Sequence, residues 1–128
     1  MGLARSGQSA VAALKAGGAE VIAWDDNDTK CKETEPLGAH IKDLTEEDFT
    51  EIDALVLSPG IPHSYPKPHL VVEQAKKANT PVIGDIEIFA TNYVKPRIIG
   101  ITGTNGKSTT TSLIGHILNC AQIPHEVG

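Results

Sequence analysis

The stretch Ile98-Ile99-Gly100-Ile101-Thr102-Gly103-Thr104-Asn105-Gly106-Lys107-Ser108-Thr109-Thr110 runs from an apolar, β-branched segment through a polar glycine turn into a helical pattern. Residues 97–102 predict a strand, 103–106 a loop and 107–121 a helix. On that helix Leu113, Ile114, Ile117 and Leu118 form one apolar stripe, and Pro124 stops it. Glycines let successive N–H groups curl toward phosphate oxygens, and the helix that follows adds its unpaired N–H groups and its positive end. Gly103, Thr104, Asn105, Gly106, Lys107, Ser108 and Thr109 are therefore candidate ATP-binding residues. Lys107 suits the β- and γ-phosphates and is the candidate catalytic residue, and the Ser108 hydroxyl is the candidate Mg²⁺ ligand. The usual loop carries glycine five places before Gly106, where Ile101 stands, so the match is to a shortened Gly-x-x-Gly-Lys-Ser form. The strand pattern before it and the helix pattern after it restore much of the lost specificity. The bland reading is a strand-to-helix turn with an exposed lysine. By itself such a loop names no reaction, since hydrolases, kinases and ligases share it.

Upstream, short apolar runs alternate with helical patterns. Gly2-Leu3-Ala4-Arg5-Ser6-Gly7 is a glycine turn leading into a helix over 8–16 that Gly17-Gly18 ends. Residues 19–24 read as a buried strand closed by the polar turn Asp25-Asp26-Asn27-Asp28. Residues 29–38 read as a poor helix broken at Pro36, and 40–42 as a short strand. A helical turn capped by Thr45 is expected over 45–49, then a core strand over 52–57 and a rigid loop at Ser58-Pro59-Gly60-Ile61-Pro62. A helix over 68–78, a strand over 80–83 and a helix over 85–90 complete the pattern, with Asp85 capping the last and Ile86 and Phe89 turned inward. This is an α/β plan with a mostly parallel sheet. A dinucleotide-type domain starts with a strand before its glycine turn, and here the turn begins at Gly2. The reading is thus a Rossmann-like domain over 1–93 that lacks its first strand, joined to the opening strand, P-loop and helix of a second α/β domain over 94–128. A single strand, loop and helix cannot bury their own apolar faces, so the chain reads as a fragment, with its boundary at 92–96. The alternative is one compact protein in which both pieces share a sheet.

The chain has 128 residues, 40% of them apolar, and a formal charge of −5. The acidic excess lies between Asp25 and Asp53, where eleven carboxylates face three lysines, and it argues against a nucleic-acid groove. Cys31 and Cys120 are far apart and form no Cys-x-x-Cys, so free thiols in a reducing, cytoplasmic setting are expected. No apolar run is long enough to span a membrane. The five histidines show no zinc spacing and read as surface residues, and Ser58 lacks the surroundings of a nucleophile.

Gly103-Thr104-Asn105-Gly106-Lys107-Ser108-Thr109-Thr110 resembles the ATP loop of the Mur ligases, which build the peptide stem of bacterial cell-wall precursors. The motifs Ser58-Pro59-Gly60-Ile61-Pro62 and Gly84-Asp85-Ile86-Glu87-Ile88-Phe89, with the turn Gly2–Gly7 and the strand end Trp24-Asp25-Asp26, resemble the first domain of the glutamate-adding branch. The resemblance covers essentially the whole chain. It implies that the first domain holds the UDP portion of UDP-MurNAc-L-Ala: Leu3 and Ala4 near the diphosphate or uridine, Asp25 and Asp26 at the uracil, Ser58 and Gly60 on the opposite side. Where the common nucleotide fingerprint has its glycine, this chain has Ala4, whose methyl favours a uridine mode over ordinary NAD binding. The resemblance further implies ATP and Mg²⁺, an acyl phosphate formed on the substrate carboxylate, attack by D-glutamate, a cytoplasmic setting and a monomeric full-length protein. Lys107 would stabilise the transferred phosphoryl group, and Ser108 and Thr109 would hold Mg²⁺ or phosphate. The D-glutamate site and the adenine pocket belong to parts of the family beyond residue 128, so the fragment is expected to lack turnover. Two other classes stay open: a P-loop phosphotransferase, and a noncatalytic Rossmann-like nucleotide-binding module.

Overall fold

The computed structural model describes residues 1–92 and 97–128. The chain divides into two compact units, Met1–Val94 and Lys95–Gly128. Part of the boundary read at 92–96 lies outside the described residues.

In the first unit, α1 (Arg5–Ala16) follows the glycine turn and ends at Gly17-Gly18, where Gly18 takes φ +84°. Then come β1 (Ile22–Ala23), α2 (Asp28–Thr34), a 3₁₀ turn (Glu35–Leu37), β2 (His40–Ile41) and a second 3₁₀ turn (Phe49–Glu51). β3 (Leu55–Leu57), α3 (Leu70–Lys77), β4 (Val82–Gly84) and α4 (Asp85–Asn92) complete it. β1 pairs in parallel with β2, Ile22 opposite His40, and β3 pairs in parallel with β4, Leu55 opposite Val82. Parallel strands with flanking helices are the expected α/β plan, but the single sheet is replaced by two separate pairs among the described residues. Residues 1 and 2 lie between them. The Met1 ammonium donates to the Val56 carbonyl (2.9 Å), the Ser58 N–H to the Met1 carbonyl (3.0 Å), and the Gly2 N–H to the Trp24 carbonyl (2.9 Å). Only the ends of β1 and β3 are tied in this way, so no continuous ladder forms.

Two apolar clusters hold the unit. Leu44, Phe49, Leu55, Leu57, Val71, Val72 and Ala75 form one with Met1; Leu3, Val11, Val21, Ala23, Cys31 and Ala39 form the other. Trp24 packs against both. Val71 and Val72 are wholly buried, each contributing about 1.5–3 kcal/mol on the usual transfer scale. The helical turn expected at 45–49 is absent. Asp43 instead accepts from the Thr45 N–H and hydroxyl, and Asp48 accepts from the Thr50 N–H and hydroxyl, which caps the 3₁₀ turn one step later. Those Thr50 bonds hold the Asp48 carboxyl below its usual range. The helix read over 68–78 is α3, which starts at Leu70 with His69 as its cap. Ile86 and Phe89 do not turn inward; they are 71% and 49% exposed.

In the second unit, α5 (Lys107–Cys120) forms as read. The strand expected over 97–102 does not: no ladder partner is present among the described residues, and a strand without one leaves its N–H and C=O groups to water. The chain after α5 folds back on it, the Ile123 N–H bonding the Leu118 carbonyl, with Val127 so close to Gly115 that a Cβ there would come within 2.8 Å of it. Leu113 and Ile117 remain more than half exposed, as the stripe of an isolated helix must.

Candidate functional site

The carboxyl ends of β1 and β3 meet at the glycine turn, and a bonded network organises the chain there. Asp25 accepts the Leu3 N–H (2.6 Å) on one oxygen and the Asn27 N–H (2.9 Å) on the other. The buried Ser58 hydroxyl donates to the Gly2 carbonyl (2.7 Å). The two glycines of the turn are required by close approach. A Cβ on Gly2, which takes φ +85°, would press on Ile61 and Ser58 at 2.9 Å, and a Cβ on Gly7 would fall on the Gly2 carbonyl. Of the residues read from the sequence, Leu3, Asp25 and Ser58 are thus brought together, with the Leu3 side chain in the core. Ala4 is the exposed cap of α1 and gives it no side-chain bond, so no N-cap side chain serves the first-turn N–H groups of that helix. Gly60 is exposed on the 58–62 loop, with open space where a Cβ would lie.

Beside this network Asp26 is exposed and lies 3.4 Å from His69 Nε2. His69 Nδ1 accepts the Val71 N–H (3.2 Å), which puts the ring proton on Nε2, facing Asp26. The same ring meets Trp24 edge-on, with centroids 6.1 Å apart. His69 thereby sets Asp26 and the indole on one rim, a role hidden in the sequence among five scattered histidines. Its position just before the apolar helical run Leu70-Val71-Val72 was the available signal, since N-cap residues carry side-chain acceptors. Past the ends of β3 and β4, a cleft of about 290 Å³ is lined by Ser58, Pro59, Ile61, His63, Gly84 and Glu87, among others. The two upstream motifs therefore share one cleft, and Glu87 faces it although the sequence reading gave it no site.

In the second unit, Gly103 takes φ +146° and Gly106 φ +77°, the latter as the left-handed cap of α5. No side chain caps this end, and the first intrahelical bond runs from the Thr110 N–H to the Gly106 carbonyl (2.9 Å). The N–H groups of Lys107, Ser108 and Thr109 are left as donors at an exposed helix start. Lys107 folds back along the loop, its ammonium donating to the Gly103 carbonyl (2.6 Å). That arrangement suits a polyphosphate: the N–H groups at the helix start, the Lys107 ammonium and a hydroxyl at Ser108 stand together on open surface. Among the described residues no three His, Cys, Asp or Glu side chains cluster as a metal site, so Ser108 would need further ligands from the nucleotide or water to hold Mg²⁺. No helix among them is long and apolar enough to cross a membrane.

Known proteins resemble this chain along nearly all of it. The chain is similar to UDP-N-acetylmuramoylalanine–D-glutamate ligases. The protein of that name from Phenylobacterium zucineum is 47% identical over 132 residues, 98% of this chain. Those from Mesorhizobium japonicum and Paramagnetospirillum magneticum are 46% and 43% identical, over 99% and 100% of it. In each case the chain spans 28% of the relative's length. No protein-family model and no solved structure matches.

Proposed function

We propose that this chain is the UDP-sugar-binding region, with the start of the ATP-binding region, of a glutamate-adding Mur ligase. Identity of 42–47% to such ligases over nearly the whole chain carries the reading. The site supports it in kind. Ligands of parallel α/β sheets bind beyond the carboxyl ends of the strands, where the glycine turn, Asp26, Ser58 and Gly60 lie. Asp26 is the carboxylate available to an imide N–H of uracil, because both oxygens of Asp25 are already engaged. Asp25 then acts by fixing the turn: it holds the Leu3 N–H, and with Ser58 it presents the start of α1, whose uncapped N–H groups suit the diphosphate. Leu3 contributes its backbone, and Ala4 its exposed place on the turn.

In the second unit, Gly103 to Gly106 shape the loop, and the N–H groups of Lys107, Ser108 and Thr109 receive phosphate oxygens. Lys107, which donates to the Gly103 carbonyl, would be the residue to hold the transferred phosphoryl group and would neutralise charge there by position and electrostatics. Ser108 offers its hydroxyl to Mg²⁺. ATP would supply the phosphoryl group that activates the carboxylate of UDP-MurNAc-L-Ala toward the amine of D-glutamate. A calorimetric panel with UDP-MurNAc-L-Ala, ATP–Mg²⁺ and NAD tests the assignment: the first two bind and NAD does not. Binding of NAD alone would overturn it in favour of a dinucleotide module, and binding of ATP–Mg²⁺ alone in favour of a phosphotransferase.

A further inference from the structure

His69 stands at the start of α3 with nearly all of its polar groups committed. Its N–H donates to the Pro62 carbonyl (3.0 Å), and its carbonyl accepts the N–H groups of Val72 (2.9 Å) and Glu73 (3.2 Å). Nδ1 accepts the Val71 N–H, and the ring meets the half-buried Trp24 edge-on. The side chain is only 20% exposed. A ring fixed through its backbone, at one nitrogen and against an indole has a single group left over. That group is the Nε2–H, 3.4 Å from Asp26 Oδ2.

Asp26 is the reverse case. Its side chain is 61% exposed on the turn after β1, and the neighbouring Asn27 N–H goes to Asp25. Among the described residues His69 is its one partner, through Oδ2, and Oδ1 has none. An exposed side chain samples several rotamers, and ordering it on binding costs free energy. A rigid donor at one oxygen removes part of that cost and leaves the other oxygen as a pure acceptor. Capping of α3 accounts for Nδ1 alone. A cap needs only an acceptor close to its own backbone, which Asn or Ser supplies with a shorter side chain. It does not call for a ring long enough to bring an N–H to a carboxylate from a turn far earlier in the chain.

We propose that His69 is a positioning residue for nucleobase choice: its Nε2–H holds Asp26 by one oxygen, so that the other receives the imide N–H of uracil. The role rests on the UDP-sugar reading of this rim and adds how the rim selects. Uracil carries a proton on N3, whereas cytosine carries a lone pair there and an amino group at C4. A carboxylate free to swing turns to that amino group; a held one cannot follow it. His69 therefore acts on the preference for uracil over cytosine, beyond its part in the helix start.

Calorimetry of the 128-residue chain with UDP, CDP and N3-methyl-UDP, read beside melting temperatures, tests this. The unchanged chain binds UDP about tenfold or more tightly than either of the other two. His69→Asn keeps an acceptor for the Val71 N–H but does not reach Asp26. Its melting temperature stays within about 2 °C, its UDP affinity falls about three- to tenfold and its CDP affinity does not fall, so the preference narrows. His69→Gln keeps an N–H near the Nε2 position and loses the cap. It melts about 4–8 °C lower and retains the preference. With Asp26→Ala in place, His69→Asn changes UDP affinity no further. An unchanged preference in His69→Asn overturns the role of His69 and leaves the UDP-sugar reading standing. So does an equal loss for UDP and CDP, which is what damage to the helix start alone produces. A chain that binds no UDP overturns the UDP-sugar reading and the role of His69 together.

Discussion

The Met1 ammonium is buried between β1 and β3, and its environment makes stability depend on pH in a calculable way. Burial lowers its pKa from 8.0 to about 6, with Asp25 opposing that shift. The folded chain therefore binds this proton less tightly than the unfolded chain. Stability rises with pH wherever the unfolded state holds more protons, so the penalty is present in full below about pH 6 and is gone above pH 8. At about 1.4 kcal/mol per pKa unit, the window spans roughly 2–3 kcal/mol. N-terminal acetylation removes the titrating group, and the cleft of about 600 Å³ beyond Met1, between β1 and β3, has room for the acetyl. Urea unfolding of free and acetylated chains at the two ends of the window isolates the effect, because the two chains differ only at that group. The free chain should gain about 2–3 kcal/mol relative to the acetylated one on going from the acid to the alkaline end. Parallel pH curves for the two chains, or a relative loss for the free chain, would refute the reasoning.

Other outcomes follow from the same contacts. Gly7→Ala places a methyl on the Gly2 carbonyl and should cost more than about 3 kcal/mol, measured as a collapse of the urea midpoint or loss of folded protein. Asp25→Ala strands the Leu3 N–H and removes two charge-assisted bonds, for a loss of about 2–4 kcal/mol in the same assay, whereas Asp26→Ala, an exposed residue, changes it by less than about 1. Lys107→Ala should lower ATP–Mg²⁺ affinity by about tenfold or more in calorimetry while leaving the melting temperature unchanged, because the lysine's bond to Gly103 is exposed.

Element order along the first unit was legible because each helix and strand carries its own apolar period. The strands came out shorter than read, however. Their apolar runs mark burial, while pairing depends on a neighbour, and β1 and β3 lack one along most of the edge that faces the cleft. Residues 97–102 show the same limit from the other side: β-branched composition is present and a ladder is not. The turn at 43–50 was misread because Thr45 resembles a cap only if the chain continues as a helix; Asp43 and Asp48 each bond two residues ahead and divert it. At the site, the resemblance implies Leu3, Asp25 and Ser58, but the bonds around them are not legible in the sequence, since they join residues far apart in it. Asp25 is seen to brace the turn through Leu3 and Asn27, and His69, linked to Asp26 only in three dimensions, enters.

The most direct test is an amide chemical-shift titration of the chain with UDP-MurNAc-L-Ala, using NAD as comparison. The account predicts saturable shifts centred on Leu3, Ala4, Asp26, Ser58 and Gly60 with the UDP-sugar, and none there with NAD. Shifts at those positions with NAD but not with UDP-MurNAc-L-Ala would contradict it.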